Sequence, residues 1–298
     1  MEWILFALLA LIMFSLSTMI DGLSIKKYLK DPKVYSFYNL FLQGFIGSLI
    51  FFFIDINFYN YSFLLVSFIT GLLYVYGLLP YMKALEFEEV SRIESLFRLE
   101  PIFVLFFSYL VFNLNLNINQ FVGFSFLVLG GILISIKKVN GLFRLSRGFW
   151  YMMSTNLILA GYFLGTHYLF KNHDFWSSFA FIHLGILLAS LTLIIFRDYG
   201  RKGIFYFNRF SKFSKLLIIF AALLSFIGLG LRNFAISLSS SALVSSLGGF
   251  KSLFVFVLAL IISFKAPHIL KEETSSRVII LKVISIILFI VGVYFVSL

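Results

Sequence analysis

Cysteine is absent from this chain, which excludes disulfides and thiolate metal sites and leaves the redox compartment unspecified. Charge is scarce as well: Asp, Glu, Lys and Arg make up 12% of the 298 residues, against about 25% in an average soluble protein. There is no GxSxG, no HExxH and no Gly-rich phosphate loop, so the usual grounds for an enzyme are missing. Nothing in the residues points to a cofactor.

What fills the chain is apolar. Hydrophobic residues reach 61%, with 41 Phe, and the mean hydropathy is +1.01. Runs of about 20 apolar residues recur along the whole length, each long enough as a helix to cross a hydrocarbon core of about 30 Å, and they lack the period-2 alternation of barrel strands. The pattern predicts an all-α integral membrane protein. Its spans fall at about 3–24, 34–55, 62–87, 89–112, 119–137, 148–170, 175–196, 215–238, 240–264 and 279–298. The opening stretch MEWILFALLALIMFSLSTMID has no basic n-region and no A-x-A-like cleavage site, so it reads as a retained first helix. Trp3, Trp150 and Trp176, near predicted span ends, read as interfacial anchors. No soluble domain is expected, since the longest polar stretches, around Arg197–Lys215 and Lys265–Lys282, have ordinary loop length.

The net charge of +11 would suggest nucleic acid in a soluble protein. Here the cations cluster between apolar spans, where cytoplasmic loops collect Lys and Arg. The connections after the first, fifth, seventh and ninth spans carry most of them, including Lys26, Lys27, Lys137, Lys138, Arg201, Lys202, Lys265 and Lys271. The opposite connections, IDINFYNYS, NLNLNINQ and KNHD, are nearly free of cations. This distribution predicts a multi-pass protein of the cytoplasmic (inner) membrane with both termini outside, contacting membrane lipids and no nucleic acid. A reporter fused after Leu298 should be active outside the cytoplasm, and one active only in the cytoplasm would reverse the assignment.

Ten spans divide into two sets of five, residues 1–140 and 141–298. Laying Gly77 on Gly228 aligns GLLPYMKALEFEEVSRIESLFRLEPIFV with GLGLRNFAISLSSSALVSSLGGFKSLFV without a gap. Weaker matches pair Thr18 with Thr166, Asn39 with His183 and Gly131 with Gly292. Because five is odd, the second set enters the membrane from the opposite side, which makes the halves inverted repeats. In this alignment Glu100 falls on Lys251.

Charges within apolar runs are the first functional candidates, since each costs roughly 2.5–3.5 kcal/mol at mid-bilayer on insertion scales. The segment Lys83–Val111 carries Arg92, Glu94, Arg98 and Glu100. On a continuous helix Glu94 and Arg98, four apart, share a face and can pair, while Arg98 and Glu100 point about 200° apart. Lys251 of the other half is then the natural counterpart of Glu100. That pair either fixes the packing of the halves or flanks a substrate, with proton or ion coupling through Glu100 compatible with the second role. Arg232, beside Asn233 near the outer end of the eighth span, suits a phosphate or carboxylate, or snorkels to the interface. Tyr74, Tyr76 and Tyr81 are candidates to line a cavity. The run SLSSSALVSSLGGF, with Gly248 and Gly249 beside Lys251, fits either close packing or a discontinuous segment at a binding site. Asp21, Asn39, Gln43, Thr166, His167 and His183, each taken alone, read as interhelical hydrogen-bond partners.

Glu272, Glu273 and Arg277 spell EExxxR, similar to the first motif of intramembrane CAAX-type proteases; no His follows, so it reads as a solvated loop. The closer resemblance covers the whole chain. KALEFEEVSRIESLFRLEPIFVLFFSYLVF followed by NQFVGFSFLVLGGILIS, and FAISLSSSALVSSLGGFKSLFVFVLALII followed by LKVISIILFIVGVYFVS, resemble the two halves of EamA-like members of the drug/metabolite transporter superfamily. The resemblance implies a ten-helix secondary transporter with a central cavity between the repeats, working by alternating access on a small organic metabolite. Where that family often has a Gly-Glu after the fourth and ninth spans, this chain has Asn113–Asn115 and Lys265–Pro267. Its relatives commonly have basic N-termini inside, whereas this chain reads as outside. Two other readings follow from the charges and the compactness of the chain: a flippase for a lipid-linked phosphate or sugar, with Arg232 and Lys251 on the anionic head, and a non-transporting membrane scaffold.

Overall fold

The computed structural model describes residues 2–29, 31–87, 93, 96–135, 147–195, 210–251, 253–255, 257–258 and 276–297. Among them every regular element is a helix: α1 Glu2–Leu23, α2 Pro32–Ser48, α3 Tyr61–Phe87, α4 Glu100–Phe112, α5 Ile118–Ser135, α6 Arg147–Asn172, α7 Phe175–Thr192, α8 Lys212–Leu238, α9 Ser241–Ser246 and α10 Ser276–Ser297. Five stretches of the described residues are long and apolar enough to cross a membrane: Glu2–Leu23, Pro32–Phe52, Tyr61–Ala84, Phe175–Thr192 and Lys212–Leu238. Shorter apolar helices occupy Glu100–Phe112, Ile118–Gly130 and Val283–Val296. The protein is therefore a multi-pass, all-helical membrane protein. Glu94, residues 196–209, residues 265–275 with Glu272 and Glu273, and the side chain of Arg98 lie outside what the structure describes.

Local chemistry sets the helix ends. Asp31 caps α2, accepting from the Lys33 and Val34 N–H groups at 3.1 and 3.2 Å, and Pro32 follows at the first helical position, where its missing N–H costs nothing. Asp174 caps α7 through the Ser177 N–H. Partial burial alone would raise the Asp174 carboxyl; hydrogen bonds from Ser177 and from the Tyr59 hydroxyl outweigh it and hold the group below its ordinary pKa. Ser211 and Ser240 cap α8 and α9 in the same way. Asn113 ends α4 in the left-handed region, which asparagine tolerates better than most residues.

One expectation fails in detail. The reading of 89–112 as a single continuous span is replaced by a 3-10 turn at Phe97–Leu99 leading into α4. Pro101 is the cause, because it has no N–H to give the Phe97 carbonyl. The Glu100 N–H takes that carbonyl instead, and the Leu96 carbonyl, which Glu100 would have satisfied, accepts from Asn156 Nδ2 at 2.8 Å. The ninth span breaks too: α9 stops at Ser246, and the Lys251 N–H bonds the Gly248 carbonyl at 3.0 Å. In the repeat alignment Phe97 falls on Gly248 and Glu100 on Lys251. The same i→i−3 bond thus closes the break in each half.

Helix pairing follows a regular scheme. The most extensive contacts join α1 to α8, α3 to α6, α5 to α10, α2 to α7 and α3 to α7, followed by α8 to α2. Exchanging every helix for the one five places away turns α1–α8 into α6–α3 and α3–α7 into α8–α2, and returns α2–α7 and α5–α10 to themselves. Glycine permits close approach: a Cβ on Gly123 would lie 2.6 Å from the Gly292 carbonyl oxygen, between α5 and α10.

Candidate functional site

A cavity of about 140 Å³ lies between helices from the first and second halves of the sequence. Asp21, Glu100, Arg232 and Lys251 all line it. Several of its walls come in pairs that the repeat alignment matches: Tyr74 with Ser225, Tyr81 with Arg232, Phe97 with Gly248, and Glu100 with Lys251. Leu11 of α1 and Leu159 of α6, which the Thr18–Thr166 match places on one another, line it as well.

Glu100 and Lys251 reach the cavity because each follows a break. The interrupted ladder at Phe97–Leu99 and at Leu247–Gly248 brings the chain to the cavity wall, and Phe97 and Gly248 line it themselves. The Lys251 ammonium lies 5.5 Å from the Phe97 ring centroid, across the two halves. The Ser15 hydroxyl of α1 donates to the Leu11 carbonyl of its own helix at 2.6 Å and lies 3.3 Å from the Lys251 carbonyl.

Arg232 is surrounded by rings. Its guanidinium carbon lies 5.0 Å from the Phe14 centroid, 4.8 Å from Phe163 and 5.3 Å from Tyr162, contacts that stabilise a half-buried cation by about 1 kcal/mol each. Its Nε is buried with no hydrogen-bond partner among the described residues. Asn233 points elsewhere: it is fully buried, accepts from the Tyr162 hydroxyl at 2.9 Å, and does not line the cavity. Asn233 therefore positions one ring of the cage.

A polar ladder runs up the α2 side. Tyr35 donates to the Asp21 carboxylate and Asn39 Nδ2 approaches the same oxygen at 3.4 Å. Gln43 donates to Asn39, and Tyr74 donates to Gln43 at 2.9 Å. Asp21, Asn39, Gln43 and Tyr74 all line the cavity. Their grouping was not read from sequence, although Tyr35, Asn39 and Gln43, four apart, mark one face of a helix. Tyr76 leaves the group: its hydroxyl bonds Thr192 Oγ1 at 2.8 Å. His183 is buried against Phe179 and Phe226, away from the cavity, and Thr166 bonds the Phe163 carbonyl of its own helix. Trp150 and Trp176 are exposed, as interfacial anchors need.

Among the described residues no cluster of His, Asp or Glu has the makings of a metal site.

Residues 1–136 match the EamA-like transporter family. A solved crystal structure covers 99% of this chain and 98% of its own at a TM-score of 0.70 and 14% identity, a likeness that shows the fold alone. No curated protein matches the chain.

Proposed function

We propose, from the premise that residues 1–136 are an EamA-like transporter unit, that the chain is a secondary transporter of the drug/metabolite type. It moves a small organic solute across the cytoplasmic membrane by alternating access around the central cavity. The observation that supports this reading is the cavity wall itself, which residues matched by the repeat alignment line together, Glu100 and Lys251 above all. A pairing scheme unchanged by a five-helix shift is what inverted repeats require, and alternation follows when two such units exchange conformations about a fixed site. A scaffold would instead pack its midplane, and the open space there argues against one.

In this reading Glu100, Lys251, Arg232, Tyr74 and Tyr81 contact the solute, joined by Asp21, Gln43 and Phe163. The cation-poor connections lie outside, as do both termini, which puts Arg232 toward the outer end of the cavity and Asp21 toward the inner end.

The absence of native cysteine makes the test direct. Ser245 lines the cavity, so Ser245→Cys places one unique thiol there. In oriented proteoliposomes a membrane-impermeant maleimide should label it from either face, because the cavity opens to each in turn. Labelling from one face alone would count against alternation.

A further inference from the structure

Resting on that transport reading, we propose that the solute carries an unsubstituted oxyanion, a carboxylate or a phosphate, and that Arg232 is its head-group subsite. Arg232 lines the cavity, yet makes no hydrogen bond or ion pair to any described residue, although the Asp21 and Glu100 carboxylates line the same space. Arg232 is half-buried with its Nε fully buried, and leaving a buried donor unmade is costly. The aromatic cage explains how the cation is tolerated: Phe14, Phe163 and Tyr162 approach the guanidinium within 4.8–5.3 Å. Rings satisfy the charge without occupying the N–H donors, and the planar fork is left able to grip two oxygens of one oxyanion.

Several other polar groups of the wall are already engaged. Tyr74 donates to Gln43, Ser17 and Ser225 share a bond at 2.7 Å, and the Asp21 carboxylate accepts from Tyr35 and Asn39. The wall carries two acidic groups, Asp21 and Glu100, and two basic ones, Arg232 and Lys251, so its net charge is zero and the preference is local: the Asp21 carboxylate is already hydrogen-bonded, whereas the buried Arg232 Nε has no partner among the described residues. Phe14 and Phe163, which line the cavity beside it, offer apolar faces to the body of the solute, so the class is a small organic acid or monophosphate with an apolar or ring-bearing body.

The experiment is thermal stabilisation of the purified full-length protein by benzoate, phenyl phosphate, the uncharged isostere benzamide, and detergent-solubilised dioleoyl phosphatidate. Ligands that bind only the folded state raise its apparent stability. Benzoate or phenyl phosphate should stabilise and benzamide should not; a response confined to phosphatidate would identify the oxyanion as lipid-borne and still support the subsite. R232Q should weaken anion binding by about ten- to a hundredfold, the range expected for charge-assisted hydrogen bonds. Equal stabilisation by benzamide and benzoate in the unmodified protein overturns the proposal whether or not R232Q folds, as does the absence of any anion response. Anion binding without anion uptake in proteoliposomes would leave the subsite standing and remove the transport reading.

Discussion

Neutralising Glu100 and neutralising Lys251 should drive the protein toward opposite faces of the membrane. The measurement is the ratio of maleimide labelling rates of Ser245→Cys from the two sides, in Glu100→Gln and in Lys251→Met. Both residues line the cavity, and each follows the same i→i−3 closure in its own half. Removing one leaves the other without its opposite charge, at a cost of roughly 2.5–3.5 kcal/mol for a stranded charge at mid-membrane. That charge favours whichever state opens it to water. Positions matched by an inverted repeat are exposed by opposite states, so the two single variants shift the ratio in opposite directions, each by about a hundredfold at 1.4 kcal/mol per tenfold. The double variant strands no charge and should return the ratio toward that of the unmodified protein while failing to transport. If both single variants shift the ratio the same way, the two residues do not occupy equivalent places in two exchanging units. If the double variant transports normally, their role is packing.

The fold was legible where the signal is local or repeats. Apolar runs located most of the described helices to within a few residues, since burial of a helix in lipid needs nothing else; the helices at Glu100–Phe112 and Ser241–Ser246 are shorter than the spans drawn through them. The ungapped match of Gly77 to Gly228 found Glu100 and Lys251, because two copies of one pattern reveal what either copy hides. Gly248 and Gly249 left a break in the ninth span as one of two readings, beside close packing, and the structure takes the break. Pro101 carried the same warning for the fourth, and its missing N–H is why the helix drawn through 89–112 is interrupted there.

The cage around Arg232 had no such signal. Phe14 comes from α1 and Tyr162 and Phe163 from α6, and among 41 Phe and 15 Tyr nothing marks these three. Asp21 was visible but was weighed alone. Its meaning depends on Tyr35, Asn39 and Gln43 forming one face of α2 and on Tyr74 arriving from α3. Helix pairing makes that link, and sequence spacing within one helix does not contain it.

The pairing itself makes the second large prediction. Helix α7 lies in a slot between α2 and α3 that only glycine fits. A Cβ on Gly44 would meet the Leu187 backbone nitrogen at 2.5 Å, and one on Gly71 would meet Gly185 and Ile186 backbone atoms at 2.5 Å. No rotamer change relieves a clash with backbone, so α7 must move as a unit. Gly44→Ala and Gly71→Ala should each lower the thermal stability of the purified protein by an amount corresponding to about 1–3 kcal/mol, the usual cost of overpacking. Both substitutions push on the same turn of α7, so the double variant should lose less than the sum of the two, by at least about 0.5 kcal/mol. Gly230→Ala is the control: its Cβ meets only the Phe179 ring at 3.6 Å, an ordinary contact, and alanine gains up to about 1 kcal/mol of helix propensity over glycine. That variant should match or exceed the unmodified protein. Equal stability of Gly71→Ala and Gly230→Ala would mean that α3 and α7 are not in backbone contact at Gly185. Because α2 and α7 are exchanged with each other by the five-helix shift, a displaced α7 also disturbs the contact about which two inverted units would rock. Gly44→Ala should therefore slow labelling of Ser245→Cys from at least one face even at temperatures where the variant remains folded.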